Sequence, residues 1–406
     1  MFSGHIWLPL RSSDYRKLWF GQMISVIGDK VDQIALGILV YGVTGSMLQM
    51  GVMLAISTLP AALFGLPAGA LVDRWDHRVT MVVSDLLRAA LVLSIPFVVI
   101  RGAHGVYAVY PVYAVAFLVG LVSVFFEPAK LSLIPELVEP DHLVAANSLD
   151  NASASVAELL GLGFAAALVA TLGYRVAFFL DAGTFVLSAL FIMLITYRQQ
   201  SAPAAEQAPR LIEQVGLGLR YIRDVPVLRD LLSVYMVAAT GVSASITIVY
   251  VLALERYKAG AAGLASLDAA ITVGLLVGSF AVGHTGLDGA GRRFIQGLCA
   301  FGFLFAALAF APGMPWAIAL LLAGGIANMW FQIPMATLLQ HESQPQLRGR
   351  VFAAKSTLTK LVTVVGYVGA GFLAERVGVT VAILAVGGLV VLAGLIGLSR
   401  PALRAA

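Results

Sequence analysis

The sequence predicts an all-α membrane protein of twelve transmembrane helices, arranged as two pseudo-symmetric six-helix bundles. Three observations predict it. Of 406 residues, 60% are hydrophobic and only 12% are charged, about half the charged share of a soluble domain. The apolar residues come in runs near the 20 that cross a bilayer as a helix. The basic residues gather in alternate loops. A backbone in lipid must satisfy its own hydrogen bonds, so each run is read as a helix.

The first span, 18–43, follows Arg11, Arg16 and Lys17 and is too long for the core of a signal peptide. The next five are read at 47–72, 79–100, 106–127, 143–170 and 174–197. Residues 198–224 then break the pattern of short loops. Gln199, Gln200, Ser201, Pro203, Glu206 and Pro209 make a polar linker. After it, Leu211, Ile212, Val215, Leu219 and Ile222 recur near helical spacing with Arg220 and Arg223 interleaved, the pattern of an amphipathic helix at the inner membrane surface. Six further spans follow at 228–254, 266–283, 293–311, 315–339, 351–373 and 378–398, the tenth and eleventh interrupted by Pro334, Lys355 and Lys360. The expected organisation is 1–197 for the first bundle, 198–224 for the linker and 225–406 for the second.

With the N-terminus inside, alternate loops place most bases on the inner side, from Arg74 and Arg78 through Arg198, Arg210, Arg220, Arg223, Arg292 and Arg293 to Arg348, Arg350, Arg400 and Arg404. The outer side holds only Arg101, Arg175, Arg256, Lys258 and Arg376. That bias expects both termini in the cytoplasm. The halves keep a faint likeness: Phe126 aligns with Phe331, Leu133 with Leu338, Pro140 with Pro345 and Gly161 with Gly366. Together with the central linker, this supports two related bundles in a parallel repeat.

Several classes are excluded by what the chain lacks. The net charge of +4 is spread over loops and implies no nucleic acid. A single cysteine, Cys299, allows no internal disulfide and reads as apolar packing. No phosphate-binding Gly-x-x-x-x-Gly-Lys-Ser/Thr, metal-ligand spacing or nucleophile–base pair is present, so no cofactor, metal or enzyme activity is expected.

The stretch Gly69-Ala70-Leu71-Val72-Asp73-Arg74-Trp75-Asp76-His77-Arg78 joins spans two and three. It resembles the signature loop of the major facilitator superfamily: Gly, three residues, Asp, Arg or Lys, any residue, Gly, then two bases. Gly69, Asp73, Arg74 and Arg78 fit; Asp76 replaces the second Gly and His77 a base. Leu18-Trp19-Phe20-Gly21-Gln22, Gly28-Asp29, Phe125-Phe126-Glu127-Pro128-Ala129, Leu133-Ile134-Pro135-Glu136-Leu137, Val144-Ala145-Ala146-Asn147-Ser148-Leu149 and Arg348-Gly349-Arg350-Val351 resemble the branch with macrolide efflux pumps and the enterobactin exporter. The resemblance implies a carrier of the bacterial inner membrane. It also implies an inner gate in which Gly69, Asp73, Arg74 and Arg78 face the start of span eleven, with Arg348 and Arg350 as partners. Two departures stand out: span four has no Arg, and Leu162 replaces the Pro common in span five of antiporters.

The strongest chemical signal is Asp29-Lys30-Val31-Asp32 in span one. A charge near the middle of a lipid-facing helix costs about 2.5–3.5 kcal/mol or more, so these must face protein or water. Asp29 and Asp32 share a helix face. A carboxyl that takes up a proton when its cavity dries suits proton coupling; Asp29, Asp32 and Glu158 are the candidates. The competing reading is a structural network, with Asp32 paired to Lys30 and Glu158 to Lys360. Asp85 and Arg88 read as a local ion pair. Gln22, Tyr235, Tyr250, Asn328, Trp330 and Gln332 are candidates for a substrate cavity, as amides and aromatics suit an amphipathic ligand; packing is the alternative. The expected function is proton-coupled export of an amphipathic small molecule, drug or siderophore-like, by alternating access and as a monomer. A lysophospholipid or other lipid transporter is the alternative on the same fold, and a non-transporting membrane subunit or enzyme is the third reading.

Overall fold

The computed structural model describes residues 5–99, 106–197, 211–282 and 289–405. The polar linker 198–210 and Arg101 lie outside them. The long helices are α1 (Ser13–Thr44), α2 (Met47–Val72), α3 (His77–Val99), α4 (Tyr110–Leu137), α5 (Leu143–Leu172) and α6 (Tyr174–Met193). A shorter α7 (Leu211–Asp224) follows, then α8 (Pro226–Val251), α9 (Gly260–Val282), α10 (Ala290–Ala307), α11 (Met314–His341), α12 (Arg348–Val377) and α13 (Val379–Leu398). Eleven helical segments are long and apolar enough to cross a membrane. The twelfth span, α1, has 32 residues. That length, about 48 Å, suffices to cross; Asp29, Lys30 and Asp32 lower its hydropathy.

The largest boundary difference from expectation is at the end of span four. Span four runs past Pro128 and Pro135 to Leu137, because Ala129, Leu133, Ile134 and Leu137 continue a buried face. That face joins Tyr15, Leu18, Met81, Ala146, Leu149 and Ile192 in one apolar cluster. Pro334 likewise lies inside α11 without ending it.

The chain forms two compact units, Met1–Thr44 with Leu63–Ala208 and Gly45–Ala62 with Pro209–Ala406. In the first, α1 packs on α5 and α6, and α3 on α4 and α6; in the second, α8 packs on α12 and α13, and α10 on α11 and α13. The correspondence follows the internal repeat. The start of α2 joins the second unit because Glu375 on α12 accepts bonds from Leu48 N (2.9 Å) and Ser46 Oγ. Gly51 and Gly371 also let the backbones of α2 and α12 meet. The linker helix α7 packs on α12 in the same unit: Gly218 lies against the Arg350 carbonyl, and the Tyr221 hydroxyl bonds Glu342 O (3.3 Å) and Gln344 N (3.2 Å). Exposed Phe97, Phe179, Phe280, Phe303 and Leu395 present apolar surface suited to lipid.

Within the first unit, Asp14 ties the start of α1 to the end of α6. It accepts from Lys17 Nζ (2.7 Å), Thr196 N (3.0 Å), Thr196 Oγ1 (2.8 Å) and Tyr197 N (2.9 Å). Burial alone pushes this carboxyl up, but the bonds from Lys17, Thr196 and Tyr197 outweigh it and lower it from 3.8 to about 2. A carboxyl held low in the folded chain stabilises it fully above its unfolded value, and that contribution is lost as pH falls through the folded value. Thermal melting in detergent should therefore show wild type above Asp14→Asn at neutral pH, with the margin closing as pH falls from 3.8 to about 2. A margin independent of pH would assign the effect to packing.

Candidate functional site

The site begins with three notches. Gly21 and Gly28 lie two turns apart on α1 and face α6. A Cβ at Gly21 would stand 3.4 Å from Ser188 Cα, and one at Gly28 would overlap Thr184 Oγ1 and Asp181 Oδ1. On α5, a Cβ at Gly161 would stand 2.9 Å from Lys30 Cβ and 3.2 Å from Ile27 Cα. Glycine lets α1 sit this close to both neighbours.

These contacts fix the rotation of α1, and the rotation assigns the charges. Lys30 turns toward α5, where it pairs with Glu158 and donates to Gln33 Oε1 (3.1 Å). The expected Lys30–Asp32 pair does not form, and the partner that Glu158 has within the first unit is Lys30. Two residues along a helix turn the side chain by about 200°, so Asp32 points away from the face that carries Lys30. Buried Asp32 Oδ1 accepts no hydrogen bond. Asp29 is open to solvent and lines a cavity inside the first unit.

That cavity is about 60 Å³ and is lined by Trp19, Gln22 and Asp29 of α1, Arg88 of α3, Phe126, Glu127 and Lys130 of α4, and Asp150 and Ser153 of α5. Among these, Asp29, Glu127 and Asp150 face Arg88 and Lys130, an excess of one acid. Lys130 Nζ is 3.4 Å from Glu127 and 3.5 Å from Asp150. Trp19 Nε1 donates to Ser153 Oγ at 2.8 Å. The Arg88 guanidinium pairs with Asp85 and lies between the rings of Phe126 (4.2 Å) and Phe185 (4.4 Å). The Asp85–Arg88 pair is as the spacing suggests, and it brings to the cavity the Arg that span four lacks, beside Lys130 of α4. The volume admits a few waters, well below the 300–1,000 Å³ of a drug-sized site. The cavity is thus a small polar chamber with room for water.

Gln22 belongs to this chamber and donates to Ser188 Oγ at 3.4 Å. Sequence reasoning missed Glu127, Lys130 and Asp150 as a group, and it missed the stripe Asp181, Thr184 and Ser188 on α6, all buried. Asp181 is a lone acid in an apolar span, the same signal that marked Asp29.

The remaining candidates lie elsewhere. Arg78 donates to the Ile192 carbonyl (3.2 Å) and to that of Met193, covering free carbonyls at the end of α6. Asp76, where the family has Gly, caps α3 by accepting from Val79 N (2.8 Å). Asp73 and Arg74 are exposed, and no side chain crowds Gly69. In the second unit, Arg348 Nε donates to Ser343 O (3.2 Å), and Arg350 packs its backbone on α7. Tyr235 and Tyr250 are both buried. They lie 15 residues apart on one helix, about 22 Å, too far for one small ligand to touch both. Lys355 lies 4.9 Å over the Tyr235 ring. Asn328 is buried, while Trp330, Gln332 and Lys360 are half-buried.

Comparison with known proteins places this geometry. The model of the Major Facilitator Superfamily matches residues 18–354. The multidrug efflux pump Tap of Mycolicibacterium fortuitum is 28% identical over 404 residues, covering 95% of each chain. An uncharacterized MFS-type transporter, YfiS of Bacillus subtilis, is 26% identical over 390 residues, covering 93% of this chain and 90% of its own. Macrolide efflux protein A of Streptococcus pyogenes is 22% identical over 371 residues, covering 89% of each. Among solved structures, a bacterial homologue of the iron transporter ferroportin in an inward-facing state superposes with a TM-score of 0.77 at 14% identity, covering 96% of this chain and 98% of that one. That likeness concerns the fold alone.

Proposed function

This chain belongs to the Major Facilitator Superfamily, as a multi-pass membrane transporter with efflux pumps among its relatives, and we propose that it exports an amphipathic small molecule in exchange for protons by alternating access. The observation that carries the reading is Asp29: an exposed carboxyl on span one, in a chamber with aromatic walls and an excess of acid. An opening that wets Asp29 favours its ionised form, and an occlusion that dries it favours the neutral acid. Substrate and proton are exchanged when both bias the same equilibrium between conformations.

The proposal places both termini in the cytoplasm of a bacterial cell, with the first and second bundles divided at residues 198–224. The gate residues Gly69, Asp73, Arg74, Arg78, Arg348 and Arg350 belong to the inner ends of the helices in this arrangement. One observation supports the lipid-transport alternative: a groove of about 420 Å³ along α3 and α4, where Val79, Val83, Leu87 and Leu121 meet Trp75 and Asp76. Proteoliposomes separate the readings. Drugs, siderophores and lysolipids are offered with and without a proton gradient. Accumulation of a drug or siderophore only with the gradient is the expected result; gradient-independent movement of lysolipid alone would replace it.

A further inference from the structure

Four buried carboxyl oxygens of the first unit lack a hydrogen-bond partner among the described residues, on Asp32, Asp85, Glu136 and Asp181. Asp85 is paired with Arg88 and Glu136 lies 3.7 Å from His77, while Asp32 and Asp181 stand on α1 and α6, which pack together. Asp181 is wholly buried, and its Oδ2 accepts no hydrogen bond; neither does buried Asp32 Oδ1. The other oxygen of Asp181 is bonded by Thr184 Oγ1 at 3.2 Å and fills the notch at Gly28. Since α6 runs opposite to α1, with Ser188 at Gly21 and Asp181 at Gly28, Asp181 lies level with the segment that carries Asp29 and Asp32. It is within electrostatic reach of both.

The neighbouring cations are already engaged. Lys30 is paired with Glu158 across α5, and Arg88 with Asp85 on α3. No further cation pairs with Asp32 or Asp181 among the ion pairs of the described residues. Two unpaired carboxylates in a dry helix contact carry a large desolvation cost. One proton removes it: the acid on one side donates to the carboxylate on the other, and both orphaned oxygens gain a partner.

We propose that Asp32 and Asp181 share one proton, directly or across a single water, as an interior station behind Asp29. Asp29 is the group through which that proton exchanges with the chamber. In this step the O–H bond at the pair breaks as a new one forms on the Asp29 carboxylate, so the proton count is conserved. The use of the station in transport rests on the proton-coupled reading above; its existence does not.

Infrared spectroscopy of the purified full-length protein, without substrate, tests it. Wild type at neutral pH should show the carbonyl band of a protonated carboxyl, shifted in D2O. Asp181→Asn and Asp32→Asn should each lose one carboxyl's worth of that band, because the Asn amide donates to the remaining carboxylate in place of the proton. Asp29→Asn should keep the band and slow its exchange in D2O. Retention of the full band in both pair variants, or its loss in only one, overturns the shared proton. Loss of the band in wild type when sodium chloride replaces choline chloride would assign the pair to a sodium ion instead. Unchanged exchange in Asp29→Asn removes Asp29 from the path. If Asp181→Asn yields no folded protein, Asp32→Asn alone decides between loss and retention. Since no substrate is used, the outcome is independent of what the carrier exports.

Discussion

Asp29→Asn should abolish accumulation of substrate against its gradient while leaving substrate binding measurable. The substitution keeps the shape of the side chain and removes its exchangeable proton. A carrier that exchanges one proton per substrate can accumulate about tenfold for each pH unit of gradient, since one unit is worth about 1.4 kcal/mol. The variant should instead equilibrate substrate to equal concentrations on both sides. Asp29 is the group expected to show this because it is exposed and lines the polar chamber, whereas Glu158 is held by Lys30. Isotope-labelled uptake into inverted vesicles under an imposed pH step reads the result. Full accumulation by a well-folded Asp29→Asn protein would move the coupling site to Glu127, which lines the same chamber and whose side chain is 62% exposed.

Gly28→Val should have the largest effect on folding, and it tests the contact that organises the site. A Cβ at Gly28 overlaps Thr184 Oγ1 and Asp181 Oδ1 and would stand 3.0 Å from Thr184 Cβ, so either these side chains give up their mutual hydrogen bond to make room or α1 and α6 part. Forcing methyl groups into a packed core costs about 1–3 kcal/mol, occasionally more. Even for Ala, the gain in helix propensity over Gly is only about 0.8–1 kcal/mol, so the clash prevails. Gly163 is the control: its Cβ would meet nothing within 4 Å, and Gly163→Ala should be neutral or stabilising. Thermal unfolding followed by size-exclusion chromatography should show a clear loss for Gly28→Val and a smaller one for Gly28→Ala. Thr184→Ala removes one of the clashing atoms and should recover part of the Gly28→Ala loss. Equal stability of Gly28→Val and wild type would show that the helices do not meet at this point.

The two glycines show where legibility in the sequence stops. Gly28 and Gly163 are both small residues in membrane spans, and nothing local tells them apart. Only the neighbour across the contact does so, and that neighbour lies more than a hundred residues away in the case of Thr184. Asp181 was missed for a similar reason. The rule that marks an intramembrane acid as functional applies to it as to Asp29, but a single acid in an apolar span is a weaker signal than the dense cluster Asp29-Lys30-Val31-Asp32.

The sequence by itself determined the all-helical class, the twelve spans, their order and the six-plus-six repeat. It could do so because transfer into lipid is a sum over about 20 neighbouring residues, a property that each segment carries alone. It also identified span one as the polar helix, since an intramembrane charge is costly wherever its helix packs. Tertiary structure alone decided which partner each charge finds. The rotation of α1 about its axis, set by the notches at Gly21, Gly28 and Gly161, sends Lys30 to Glu158, Asp29 to the chamber and Asp32 away from the Lys30 face. Each residue turns the helix face by about 100°, so adjacent charges with the same local cost are separated by long-range packing into a structural pair and an accessible acid.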